Sequence, residues 1–438
     1  MTTLERRLTT TSATLFGLSY ICPTVVVSTF GVIADTTAGA GAGAYILATL
    51  AIVLSACSYG RMAARYSQAG SAYTYVSSTT NPTLGFVVGW ALMLDYLFIP
   101  MVVCLFTAKA VEVVLPNISF RPWIVVVALI TTGINILGIK VADRVNLVIM
   151  FAQLAAMALL VVVCVSHLGA SPHTAAALAS PILNSHSSLP AVMTGTAIAC
   201  YSFTGFDAVT TLSEETLDPT RSIPRATVLA PVIGGTIFAV STYLMSLVHP
   251  SLSFHDLDNA GFEVLAQAGG PSFLLAFTLV LIISYVAAVL CAQAGSARLV
   301  FAMGRNGVLP KGFFGYLHPR LRTPVLGLLL MGAVMFIGEF IDVETAASCV
   351  NFGAFTAFFS VNCCVLLDHF SGRRQLAGGV GKVVIAALGA IATLSLLLSL
   401  TRTAHVVGLV WLSIGLLYTA WRTRAFQAPL PFVELTGE

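Results

Sequence analysis

Long apolar runs, separated by short turns and isolated charges, recur along the whole chain of 438 residues. A helix needs about 20 apolar residues to cross a bilayer core. Runs of that size lie near 13–34, 42–63, 85–113, 122–139, 145–168, 189–213, 226–248, 272–302, 324–340, 345–367, 381–401 and 404–421. The pattern predicts an all-α integral membrane protein with about twelve transmembrane helices in one transmembrane domain. The two longest outer loops, about 169–188 and 249–271, contain neither Lys nor Arg and are too short to form a second domain.

Composition strengthens the reading. Hydrophobic residues make up 57% of the chain and charged residues 9%, with mean hydropathy +0.93. A soluble protein carries about 25% charged residues, so lipid must be the solvent of this one. A net charge of +3 gives no footing for nucleic acid. The nine cysteines all fall in apolar segments without a CxxC pair, which suits small fillers between helices better than disulfides or metal ligands. The eight histidines, among them His167, His173, His186, His249 and His318, sit mostly at loops or helix ends without metal-ligand spacing, so neither metal nor cofactor is expected. The N-terminal "MTTLERRLTTTSATLF" lacks the short apolar core and cleavage site of a secretory signal, so the first span is expected to be retained.

The basic residues set a direction. If twelve spans alternate, eighteen of the 21 Lys and Arg fall on one side, including Arg6, Arg7, Arg422 and Arg424 at the termini. Only Arg121 and Arg402 fall on the other, with Lys109 inside the third span. The positive-inside rule then places both termini in the cytoplasm. No GxxxxGK[ST] phosphate loop occurs, so no ATP motor is visible.

Two spans contain interruptions. The first reads "GLSYICPTVVVSTFGVIAD", where Pro23 removes a backbone donor and Ser28, Thr29 and Gly31 break the apolar run. The sixth reads "AIACYSFTGFDAV", with Ser202, Thr204 and Gly205 just before Asp207. Five helices separate them, the interval of a five-plus-five inverted repeat. Backbone that unwinds at membrane depth must face protein or water, and its freed N–H and C=O groups can then hold a polar substrate. The plainer alternative is that Gly, Ser and Thr only allow close helix packing.

Three longer stretches carry a family resemblance. Residues 68–100 ("QAGSAYTYVSSTTNPTLGFVVGWALMLDYLFIP"), 202–226 ("SFTGFDAVTTLSEETLDPTRSIPRA") and 297–324 ("ARLVFAMGRNGVLPKGFFGYLHPRLRTP") resemble motifs of the amino acid–polyamine–organocation (APC) superfamily. Within it the chain most resembles the bacterial putrescine importers, over about residues 10–425. The resemblance implies a LeuT-like fold with broken helices one and six, inverted repeats at about 13–168 and 189–367, and two extra helices at about 381–421. It also implies substrate bound at the two breaks, proton-coupled import and a bacterial inner-membrane location. One position departs from the pattern: the importers carry an acidic residue in a "DTFG" context, whereas this chain has "STFG" with Ser28 there. A diamine would have one carboxylate fewer to bind.

Ionisable groups within spans are costly and so are functional candidates. Asp207 follows the break, where the superfamily also places an acidic residue. It can contact a substrate ammonium, carry the proton, or do both in turn, since desolvation favours the neutral acid and a bound cation favours the carboxylate. The alternative is a carboxylate capping local backbone N–H groups. Asp95, near the middle of span three, contacts the substrate directly, lines the inward pathway or makes a structural hydrogen bond to a neighbouring helix. Glu214 and Glu215, beside Arg221 and Arg225, form either a cytoplasmic gate or an ordinary solvated helix end. Lys109 and Glu112, three apart on one helix, suggest a local pair or snorkelling. Tyr201, Phe203, Phe206 and Tyr96 can supply a cation–π wall or occluding lids, or pack as core.

A secondary transporter for a small amine or amino acid follows, with a putrescine-type polyamine leading and the proton motive force as driver; an amino acid permease or exchanger of the same fold is the alternative. Hydroxyls such as Ser28 and Thr29 with backbone carbonyls could hold Na⁺ in a sodium-coupled variant. A channel would be expected to show a repeated filter, and an intramembrane enzyme a GxSxG or HExxH motif. Neither appears. The sequence leaves the oligomeric state open.

Overall fold

The computed structural model describes residues 8–66, 71–137, 142–169, 175–251, 253–321, 323–341, 343–371, 379–425 and 427. Arg6, Arg7, Lys140, Arg322, Arg373, Arg374, His173 and residues 68–70 of the first motif lie outside them, as does the side chain of Glu214. The regular secondary structure of the described residues is all helical, with one isolated bridge between Leu8 and Thr216 and no strand.

Local sequence sets the helix ends. Helices α1 (Thr10–Ile21) and α2 (Val25–Thr36) divide the first span. Thr9 caps α1 by accepting from the Ser12 N–H at 3.2 Å. Next come α3 (Gly41–Arg65), α4 (Ser71–Thr79) and α5 (Pro82–Val114). Asn81 caps α5 through the Leu84 N–H at 2.8 Å, and Pro82 fills the first helical position, where its missing donor is not needed. Helices α6 (Phe120–Leu137), α7 (Ala142–Leu168), the short α8 (Ala175–Ala179) and α9 (Leu189–Ala199) follow. After α9 the chain tightens into 3₁₀ turns at Cys200–Phe203 and Asp207–Glu214. The remainder is α10 (Pro219–Val248), α11 (Ala260–Arg305), the single turn α12 (Lys311–Phe314), α13 (Val325–Met335), α14 (Val343–Phe370), α15 (Val380–Leu398) and α16 (Arg402–Arg422).

Among the described residues nine helices are long and apolar enough to cross a bilayer, or ten if the bent α1–α2 pair is one span. Besides the divided first span, two expected spans are not continuous α-helix. The 189–213 run changes to 3₁₀ at Cys200, and the 324–340 run does so at Phe336. The 272–302 run belongs to a longer helix, since α11 begins at Ala260 and turns at Gly270, whose φ of 75° precedes Pro271. Residues 260–269 therefore form a separate arm, and the apolar run begins only past that turn.

Burial sorts the helices into centre and rim. In their apolar windows α5 and α14 are each 67% buried, whereas α15 and α16 are 28% and 22% buried. Exposed Leu129, Val162, Ile391, Leu409 and Leu417 on α6, α7, α15 and α16 give the rim an apolar outer surface suited to lipid. The rim is fixed to the centre by two indoles. Trp90 Nε1 of α5 donates to the Trp411 carbonyl of α16 at 2.8 Å, and Trp411 Nε1 donates back to the Trp90 carbonyl at 2.6 Å. Their rings stack at 4.9 Å. Gly415 gives the Trp90 ring room on the facing helix. Asp95 and Tyr96 thus lie on one of the two most enclosed long spans among the described residues.

Candidate functional site

The first break comes from Cys22 and Pro23. Cys22 adopts φ 53°, a left-handed conformation, and its N–H closes α1 onto the Leu18 carbonyl at 3.0 Å. The axes of α1 and α2 then differ by 49°. At the second break Thr204 is extended (ψ 138°) and Gly205 has φ 99°, which glycine reaches at little cost. The Tyr201 carbonyl accepts from both the Thr204 N–H at 3.0 Å and the Thr204 hydroxyl at 2.7 Å, which ties the end of the turn together.

A small cavity lies between the breaks. It is lined by Tyr20, Ile21, Cys22, Val25, Ile99, Val103, Tyr201, Ser202, Thr204 and Tyr285, and its volume is about 10 Å³. That is room for about one water centre, so any larger guest requires the walls to part. Of the sequence candidates, Tyr201, Ser202 and Thr204 line it. Ser28 and Thr29 sit one layer behind, in hydroxyl contacts. Ser28 Oγ and Tyr285 OH are 2.7 Å apart, Thr29 Oγ1 and Tyr45 OH 2.8 Å, and Tyr45 OH and Ser202 Oγ 2.9 Å. Tyr45 therefore joins the two breaks through one phenol.

Asp207 is fully buried. Its Oδ2 accepts from Tyr96 OH at 2.9 Å and from Ser71 Oγ at 3.2 Å, while Oδ1 has no hydrogen-bond partner among the described residues. Asp95, also fully buried, has neither oxygen partnered among them, so the structure gives no structural hydrogen bond at that carboxylate. Phe203 and Phe206 do not line the cavity. Phe203 packs edge-on to Phe238 at 5.2 Å, and Phe206 packs against Tyr59 and Phe358 at 5.6 and 4.9 Å. Both are core aromatics in this arrangement, with no path to a guest in the cavity.

Each end of the bundle has an ion pair that sequence spacing did not predict. Glu215 Oε1 lies 3.2 Å from Arg298 Nη2 on α11, and neither Arg221 nor Arg225 is its partner. The chain before α1 is laid along the same place: the Leu8 N–H donates to the Glu215 carbonyl and the Leu217 N–H to the Leu8 carbonyl, both at 3.0 Å. At the opposite end Lys109 pairs with Asp258, in the segment leading into α11, and not with Glu112. The same segment closes over α2 by two glycine contacts. A side chain at Gly31 would strike the Leu257 carbonyl and Ala260, and one at Gly261 would strike the Val27 carbonyl.

Sequence reading missed Tyr20, Cys22, Tyr45, Ser71 and Tyr285 as site residues. Cys22 was expected to be an apolar filler; it is a free thiol at the bend, and it lines the cavity. Its place beside Pro23 was the available signal. Nothing local marked the tyrosines, because their partners lie far along the chain.

Opened backbone is tolerated at bilayer depth only where it faces protein or a polar guest. A multi-pass helical protein that opens two spans around one cavity beside a buried carboxylate is, by class, a membrane permease. The chain belongs to the amino acid permease family, whose pattern matches residues 13–427. It is a transporter and not an enzyme. It is 37% identical over 98% of its length to the low-affinity putrescine importer PlaP of Escherichia coli strain K12, 96% of which is covered. It is 27% identical over 94% of its length to the branched-chain amino acid permease BcaP of Bacillus subtilis strain 168, 92% of which is covered. The methylthioribose transporter of the same strain is 27% identical over 83% of the chain, with 81% of that relative covered.

Proposed function

We propose that this permease imports a small amine or amino acid across the bacterial inner membrane together with protons, with a putrescine-type diamine as its leading substrate. The observation that carries the proposal is Asp207, a fully buried carboxylate at the second break with no cationic partner among the described residues. A buried charge without a partner is expensive, so the group is stable either protonated or against a bound cation. Exchange between those two conditions would couple proton to substrate. The family and the 37% identity to a putrescine importer support the substrate class.

The proposed architecture has twelve spans, with the 189–214 and 325–339 segments counted, in two inverted repeats near 13–168 and 189–367 plus helices at 381–421. Both termini face the cytoplasm. The Glu215–Arg298 end is then the inner gate and the Lys109–Asp258 end the outer one.

A second reading, an amino acid permease or exchanger, is favoured by Ser28. The first break presents the Ser28–Tyr285 hydroxyl pair where a carboxylate would suit a diamine, and a 27% identical relative is a branched-chain amino acid permease. Uptake into proteoliposomes under an inward proton gradient, with labelled putrescine and a panel of amino acids, separates the readings. Asp207→Asn should lower gradient-driven amine uptake about thirtyfold or more, the scale for truncating one partner of a buried charge pair. Normal uptake by Asp207→Asn, undiminished without the gradient, would refute the coupling. Sodium replacement in the same assay tests Na⁺ as driver.

A further inference from the structure

Asp207 is not the only unpaired carboxylate at the core. Asp95 of α5 is the chain neighbour of Tyr96, whose hydroxyl donates to Asp207, and both carboxylates are fully buried. The ion pairs of the described residues are at the two ends of the bundle, and neither involves these aspartates. Three carboxylate oxygens, both of Asp95 and Oδ1 of Asp207, have no donor among the described residues, and the buried Tyr20 hydroxyl has no partner among them either. Each orphaned buried polar group costs about 1–3 kcal/mol, and native interiors keep few of them. Clustered orphans of one sign are the counterpart of a ligand with the opposite sign.

The donor count narrows that ligand. A primary ammonium has three N–H donors and no acceptor, matching three open carboxylate oxygens. Asp95 is held for the task. Gly353 of α14 lies so close to the Ala91 carbonyl and the Asp95 backbone that a Cβ there would not fit. On Asp207, Tyr96 and Ser71 occupy Oδ2 and leave Oδ1 open.

Neither aspartate lines the cavity at the breaks; Tyr20 does. Its ring lies between two glycines. A Cβ at Gly205 would enter the ring, and one at Gly295 would come within 3.3 Å of it. Tyr20 thus lines the cavity, and its hydroxyl end and the Tyr96 ring both come within 4 Å of a Cβ at Gly295, Tyr96 being the donor to Asp207.

We propose that Asp95 and Asp207 form a compartment for one primary ammonium of the transported molecule, with the Tyr20 ring as the partition between it and the break cavity. The inference rests on the permease reading above and gives that site its charge preference. The substrate extends its ammonium past Tyr20 and leaves its methylenes against Ile21, Val25, Ile99 and Val103. Asp95 then replaces the carboxylate that Ser28 does not provide at the first break.

The test is equilibrium binding of 1,4-diaminobutane, 1-aminobutane and L-valine to the purified full chain in lipid nanodiscs, for wild type, Asp95→Asn, Asp95→Glu and Tyr20→Phe. Asp95→Asn should weaken both amines about tenfold or more, the scale of a hydrogen bond to a charged group, and Asp95→Glu should recover part of the loss. Tyr20→Phe keeps the ring and removes the hydroxyl, so it should weaken the amines severalfold; L-valine, whose ammonium shares a carbon with its own carboxylate and cannot extend past Tyr20 alone, should be unchanged. If Asp95→Asn does not fold, Tyr20→Phe decides. Amine binding unchanged in both Asp95→Asn and Tyr20→Phe overturns the proposal. A wild type that binds L-valine and neither amine also overturns it, while leaving an amino acid permease in place. A wild type that binds none of the three overturns both.

Discussion

Gly205→Ala should abolish transport. The residue holds φ 99° at the second break, where an L side chain is strained, and its new Cβ would point into the Tyr20 ring. Tyr20 has little room to yield, because Gly295 lies on another side of the ring and Phe16 packs edge-on at 6.4 Å. Strain and overpacking together come to about 2–5 kcal/mol. That is a large part of the stability of an ordinary domain. The expected result is a clear loss of thermal stability in detergent and no measurable uptake in proteoliposomes. Wild-type uptake by Gly205→Ala would show that Tyr20 can leave its place freely and that its packing does not hold the second break.

Gly31→Val should have a comparable effect by a different route. Gly31 lets the Leu257 carbonyl rest directly on α2, and the reciprocal contact of Gly261 with the Val27 carbonyl lies close by. Since the obstructing atoms are backbone, a side chain cannot be accommodated by a rotamer change. The segment before α11 would be lifted off α2, which would also separate Asp258 from Lys109. Uptake should fall below detection. In a variant retaining Cys22 as its one cysteine, a membrane-impermeant thiol reagent applied from the Lys109 side should label it faster once Gly31 is valine. Gly133 is the internal control. Nothing lies within 4 Å of a Cβ built there, and Gly133→Val should stay within about 0.5 kcal/mol of wild type. Labelling of Cys22 that does not change in Gly31→Val would mean that this segment does not close the pathway.

The comparison of these residues shows where sequence reading succeeds. Asp207 and the Ser202–Gly205 cluster were legible because a carboxylate and a glycine are improbable in a lipid-bounded helix, and improbable residues stand out one at a time. The bend at Cys22–Pro23 was legible because proline acts on its own backbone. Pairings were not legible. Ser28 meets Tyr285, Ser71 meets Asp207, and Glu215 meets Arg298, each across long stretches of chain. A local scan offers Arg221 or Glu112 as the partner, since spacing along one helix is all it can weigh. Aromatic roles failed for a related reason. Phe203 and Tyr201 are two apart in the same broken span, yet one packs on Phe238 and the other lines the cavity. Residues two apart face nearly opposite sides of an α- or a 3₁₀-helix alike, so spacing separates the two rings without saying which side meets the cavity.

The stacked indoles of Trp90 and Trp411 have a use beyond holding α16 to α5. Two chromophores 4.9 Å apart share their excited states, and the chain has only four tryptophans. Trp90 lies little more than one helical turn before Asp95, so a shift of α5 as cargo arrives would change their overlap. The molecule therefore contains its own optical gauge, readable in near-ultraviolet circular dichroism without any label.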